Sequence, residues 1–285
     1  MNPHLTWNVV ADLRQLLQFP FMVNALRAGT IVAVVAGAIG YFMVLRRQSF
    51  AGHTLALIGF PGAAGAIWLG INEAVGFFGV CVIGALVIAT LPVGQAGPLG
   101  GYGEQSAVIG TVQSFALACG LLFVSLYKGF LSGVNNLLFG TVVGITDAQV
   151  LILLVAGAIA LGLLAAIARP LLFASVDPDV ARARGVPVRL VGAAFLVLLG
   201  VAAAGTSQIT GSLLVFALLV APAATAQRLT ARPVAGVALS VGIAVVVTWL
   251  GETAAYFSPY PIGFWVTSFA FALFLLASGY RAVAR

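Results

Sequence analysis

The sequence predicts an all-α polytopic membrane protein, a bundle of eight or nine transmembrane helices. Two observations set that class. Of the 285 residues, 62% are hydrophobic and 7% are charged, with a mean hydropathy of +1.14, whereas a soluble domain is about one-quarter charged. Such a chain cannot cover a water-facing surface. Several windows of about 17–25 residues also carry no Asp, Glu, Lys or Arg, the length that crosses a bilayer.

In chain order, the elements follow from charges and from Pro/Gly breaks. Residues 1–18 lack the cationic start, short apolar core and small-residue cleavage site of a signal peptide. Within them, 5–18 are too polar to span and read as an interfacial amphipathic segment, with Trp7 and Leu16 on its apolar side. A single transmembrane domain then covers 19–280. Its candidate spans lie at 19–45, 49–69, 75–91, 106–127, 147–168, 190–204, 212–227, 234–250 and 262–279. The sixth, seventh and eighth are short; if one is re-entrant or broken the count is eight, otherwise nine. A polar loop at 173–189 interrupts the domain, and 281–285 form a tail.

Charge orients the bundle. In the nine-span reading Arg46, Arg47, Arg169, Arg182, Arg184, Arg189, Arg228, Arg232, Arg281 and Arg285 share one side, leaving Arg14, Arg27 and Lys128 for the other. Lys/Arg excess marks the cytoplasmic face, so the 173–189 loop and the C-terminus are inside. The net charge of +6 is therefore a topology signal. It is not a nucleic-acid footprint, since no basic-aromatic patch accompanies it.

The second span carries the most informative chemistry. Arg46 and Arg47 stand at the membrane edge, and the apolar helix after them holds His53, the histidine that falls inside a hydrophobic segment. At 1.5 Å per residue His53 lies about 9 Å in from Arg47. A histidine at that depth needs a partner. Two readings stay open: a ligand lining an ion path, or a neutral ring bonded to a backbone carbonyl.

The 173–189 loop holds a complete short helix. Asp177 supplies an N-cap carboxylate and Pro178 sits at the first helical position, where a missing N–H is harmless. Asp179 early, with Arg182 and Arg184 late, match the helix dipole. Gly185 ends the helix after about two turns, with Pro187 beyond. A solvated connector is one explanation; a helix that docks into a partner is the sharper one.

Other residues carry less. Cys81 and Cys119 sit singly in apolar spans and read as small buried hydrophobes. Glu104 and Asp147 begin spans, where a carboxylate suits a helix N-terminus. Glu73 and Glu252 fall at outer helix ends, as solvated residues or as attractors of cations. Gly37, Gly40, Gly59, Gly62 and Gly65 allow close helix approach. Pro61 and Pro222 each free a backbone carbonyl within a span, so they mark ordinary kinks or helix breaks beside a path. No phosphate-cradling G-x-x-x-x-G-K-[ST] exists, and no His-Glu-x-x-His, paired carboxylate or Ser/His dyad stands in the spans. Any ATP hydrolysis would belong to another chain.

These motifs resemble, in order along residues 19–280, the permease subunits of bacterial ABC-type zinc/manganese transporters. Arg46-Arg47-Gln-Ser-Phe-Ala-Gly-His53-Thr-Leu-Ala-Leu57 is similar to the family's R-R-x-S-F-x-G-D-A-L-x-H. Ser175 to Val188 matches S-x-D-P-x-x-A-R-x-x-G-x-P-V. Gly103-Glu104-Gln105-Ser-Ala-Val-Ile-Gly110, Leu137-Leu-Phe-Gly140 and the run from Gly211 through Pro222 resemble E-D-A-A-I-G, L-L-F-G and G-x-L-L-x-x-A-L-L-I-x-P. The resemblance implies an importer of the bacterial cytoplasmic membrane. It pairs two permease copies with two ATPase subunits and an extracytoplasmic metal-binding protein. The coupling residues would be Asp177, Pro178, Asp179, Arg182, Arg184 and Gly185. A divalent cation would be the substrate, and no cofactor would be permanently bound. The family's Asp and His, four residues apart, share one helix face. Here those positions are His53 and Leu57, which leaves one imidazole and no carboxylate. Two His53 side chains brought together by a dimer would suit Zn²⁺ better than Mn²⁺. The missing pair keeps a chelate, siderophore or cobalamin permease in play, as well as a non-transport scaffold of the same fold.

Overall fold

A computed structural model describes residues 14–90, 101–127, 144–211 and 215–283, without the side chains of 101–105 and 208–210. Among the described residues the chain is helical throughout its elements. These are α1 (Pro20–Leu45), α2 (Ser49–Trp68), α3 (Glu73–Thr90), α4 (Gly101–Leu126), α5 (Asp147–Val176), α6 (Pro178–Ala183), α7 (Val188–Thr210), α8 (Val215–Leu229), α9 (Pro233–Tyr256) and α10 (Ile262–Val283). Eight of them, all but α6 and α8, are long and apolar enough to cross a membrane. With 15 residues α8 rises about 22 Å, short of a bilayer core of roughly 30 Å.

Local chemistry starts several helices where the sequence places them. Pro20 and Pro233 occupy first helical positions of α1 and α9, where the absent N–H costs nothing. At α5 the hydroxyl of Thr146 accepts the Gln149 N–H, while the Gln149 side chain accepts the Thr146 N–H. This reciprocal cap satisfies two donors that would otherwise lack partners.

Three boundaries differ from expectation. The sixth and eighth spans are full length, 23 and 24 residues, so the seventh alone is short. The fifth span does not stop at 168; α5 continues through Arg169 and Pro170 to Val176. Arg169 is exposed there, so its charge does not oppose the helix, and proline removes one hydrogen bond without ending the turn. Nor do Pro61 and Pro222 break their helices: α2 and α8 run unbroken through both buried prolines. A positive φ of 77° at Gly211 ends α7. Leu16 is 1% exposed and belongs to the protein interior rather than to a lipid-facing stripe. Trp7, Lys128, the Leu137–Gly140 motif and the Glu104 side chain lie outside the described residues.

The centre of the bundle is built on α1 and α2. α1 packs against α5, α7, α8 and α9, and α2 against α3, α4 and α7. Small residues permit the approach, as in lipid generally. Gly40 lies on the carbonyl of Leu219, and Gly62 on that of Gly76. A Cβ on Gly37 would stand 2.7 Å from Val241 Cα, and Ser240 Oγ donates to the Gly37 carbonyl at 2.7 Å. At the arginine-rich end the guanidinium of Arg46 donates to Ser175 Oγ at 3.3 Å and stacks over Phe195, 5.6 Å from its centroid. Burial there lowers its pKa from the ordinary arginine value. At the opposite end Asn24 donates to the Ile145 carbonyl and Phe19 meets Tyr256, with ring centroids 6.2 Å apart. The contacts therefore gather the arginine-rich helix ends on one side and the opposite ends on the other.

Candidate functional site

His53 stands on the first turns of α2. From Ala51 to Ala66 every residue of that helix is buried except His53. Its ring meets Phe216, at the start of the short α8, edge to face with centroids 5.2 Å apart. Nδ1 is buried, and no hydrogen bond reaches it among the described residues. The carbonyl-bonded reading of this histidine therefore has no counterpart there. Leu57, one turn further, is buried and contributes only packing.

The neighbouring side chain completes a polar step across the bundle. Thr54 is fully buried and donates to Gln113 Oε1 of α4 at 2.8 Å. Sequence reasoning missed this pair. A threonine beside the histidine was visible, but the glutamine 59 positions away gave no sign of its partner. No group of three or more His, Cys, Asp or Glu side chains comes together among the described residues. Among the described residues His53 is thus the imidazole that α2 presents, with no carboxylate or thiol grouped beside it.

The second candidate is α6. The Asp177 carboxylate accepts from the N–H groups of Asp179 and Val180 at 3.1 and 3.0 Å, capping the helix at its start. At its end Val186 N–H donates to the Ala181 carbonyl and Gly185 N–H to that of Arg182. That paired closure requires the positive φ of 82° at Gly185. Arg182 bridges Asp179 at 2.7 Å on the exposed face. Ala181 alone of the helix is buried, so Pro178, Asp179, Val180 and Arg182 all face outward.

Glu252 contradicts its reading as a solvated helix end. It is 0% exposed, on the face of α9 that packs against α1. Glu73 and Asp147, by contrast, are exposed in the first turns of α3 and α5. Cys81 is fully buried and donates to the Leu55 carbonyl at 3.3 Å, which suits a packing role.

The ABC 3 transport family model matches residues 18–281, from before α1 to the last turn of α10. The chain belongs to the ABC 3 transport family. Among its relatives in this family, the manganese transport system membrane protein MntC of Halalkalibacterium halodurans is 30% identical over 225 residues, 79% of this chain and 75% of that one. The chelated iron transport system membrane protein YfeC of Yersinia pestis is 30% identical over 246 residues, covering 86% and 81%. The solved structure of PsaBC from Streptococcus pneumoniae in complex with Fab superposes with a TM-score of 0.83 at 27% identity, covering 94% and 95%. This ABC 3 family chain is a multi-pass protein of the bacterial cytoplasmic membrane.

Proposed function

We propose that this chain is the permease subunit of an ATP-binding cassette importer that moves a divalent metal cation, zinc or manganese, by alternating access. The observation that carries the reading is His53. Between Ala51 and Ala66 of the most buried span it is the one residue left partly open, with an orphaned ring nitrogen at intramembrane depth. Family membership and the manganese named in MntC support the same substrate class. A second copy facing the first would bring two His53 rings to one path. Two ATPase chains would dock on α6 of each copy, and an extracytoplasmic binding protein would load the outer face. The chain makes no bonds of its own; its contacts in two states couple hydrolysis to movement.

A second reading, a permease for a metal chelate, draws on the chelated iron named in YfeC and on the missing family carboxylate. Uptake by vesicles holding this chain with its cognate ATPase and binding protein separates the two. ATP-dependent uptake of free Zn²⁺ or Mn²⁺, lost in His53→Ala at equal expression, is the expected result. Uptake of chelated metal alone, or uptake indifferent to His53, overturns the first reading.

A further inference from the structure

The outer third of the α1–α9 interface holds an acid that the import path through His53 leaves unexplained. Glu252 is completely buried, and neither carboxylate oxygen has a hydrogen-bond partner among the described residues. Its carboxyl group rests on α1 where Gly29 lacks a side chain, and a Cβ there would overlap Oε1. Thr248, one turn away, offers only its methyl group to this contact. Its hydroxyl is spent on the Ala244 carbonyl at 2.8 Å.

Among the described residues no charge on the elements packed against α9 compensates the acid. On α1 the charged residue is Arg27, which is exposed. On α8 it is Arg228, which stacks over Phe274 of α10, 4.8 Å from the ring, at the cytoplasmic end. The outer half of α10 carries no titratable side chain. On α9 itself Tyr256 is the nearest titratable group. An ionised carboxylate buried without a partner is far costlier than a neutral one.

Water is nevertheless close. Glu252 lies four residues, about 6 Å, below the end of α9. At that end Tyr256 lies against Phe19, ring centroids 6.2 Å apart, and meets Phe257 edge-on, centroids 4.9 Å apart.

We infer that Glu252 is a proton-binding site beneath an aromatic lid. It holds a proton while α1 and α9 are packed, and releases it to extracytoplasmic water when Phe19 and Tyr256 part. The O–H bond breaks, the proton passes to water, and the carboxylate left behind disfavours reclosure until it is reprotonated. Acid outside thus favours the closed outer end. The inference takes only the opening of the outer end from the alternating-access reading, and it is independent of the cargo.

Infrared spectroscopy of the reconstituted wild-type complex, without metal, tests it. A protonated-carboxyl C=O band at neutral pH, shifted in D₂O and absent from Glu252→Gln, is expected. Hydrogen exchange at the Phe19 and Tyr256 helix ends is then compared between wild type and Glu252→Gln at each pH. The wild type should lose protection relative to the variant as pH rises. Absence of a neutral-acid band in the wild type overturns the inference without need of the variant. A band whose loss leaves relative exchange unchanged with pH overturns the link to the lid. Neither result bears on metal uptake, so failure here and failure of the cation reading are distinguishable.

Discussion

The carboxyl group of Glu252 and the bare backbone of Gly29 form one contact, helix against helix, with nothing between them. Gly29→Ala would place a methyl group on Oε1, and overpacking of this kind costs about 1–3 kcal/mol. A lowered thermal midpoint of the purified permease is the expected reading. Adding Glu252→Ala should recover part of that loss, because neighbouring substitutions couple. Equal losses in the single and double variants would show that the contact is unimportant.

Gly40 meets a less forgiving neighbour, the main-chain carbonyl of Leu219. A backbone cannot swing aside as a side chain does, so Gly40→Ala should separate α1 from α8 and lower the yield of folded protein. Gly79→Ala is the control, since nothing lies within 4 Å of a Cβ there. Relief of glycine's helix penalty makes that change neutral or stabilising by about 0.5–1 kcal/mol. Similar yields for the two variants would count against close α1–α8 packing.

At the candidate site, His53→Gln should abolish cation uptake while leaving thermal stability near wild type, since the ring's Nδ1 makes no hydrogen bond that would be lost. Thr54→Val should do the reverse. It removes the 2.8 Å bond to Gln113 and costs about 1–3 kcal/mol through the unsatisfied amide. Paired uptake and melting measurements check whether the two residues divide these roles.

Within α6, Asp177→Ala should cost about 1 kcal/mol of local helix stability through its cap, with Asp177→Asn close to wild type. Asp179→Ala breaks an exposed ion pair worth under about 1 kcal/mol. If α6 is the docking element, stimulation of the partner ATPase should fall in the order wild type, Asp179→Ala, Asp177→Ala. An unchanged rate in Asp177→Ala would remove α6 from coupling.

Much of this arrangement was legible in the residues because it is local. Charge-free windows place the spans, and the Asp177-Pro178 start with the Gly185 stop defines α6 within a few neighbouring positions. The failures involve distance or balance. Glu252 looks solvated from its own helix, since its burial depends on Gly29, more than two hundred residues earlier. The extension of α5 past Arg169 and Pro170 was missed because each residue alone argues for an end. His53 was visible as a candidate, but its contact with Phe216, on a helix more than 160 positions later, was not.

That extension gives α5 an uneven mechanical character. The helix has 30 residues, about 45 Å, and its end leads directly into α6. Pro170 leaves the Ala166 carbonyl without its helical donor, so the ladder of hydrogen bonds is weakest near α6. Bending of α5 is therefore easiest in the turn that leads into α6. Pro170→Ala restores the missing N–H donor, so amide exchange in the 166–176 end should slow relative to wild type.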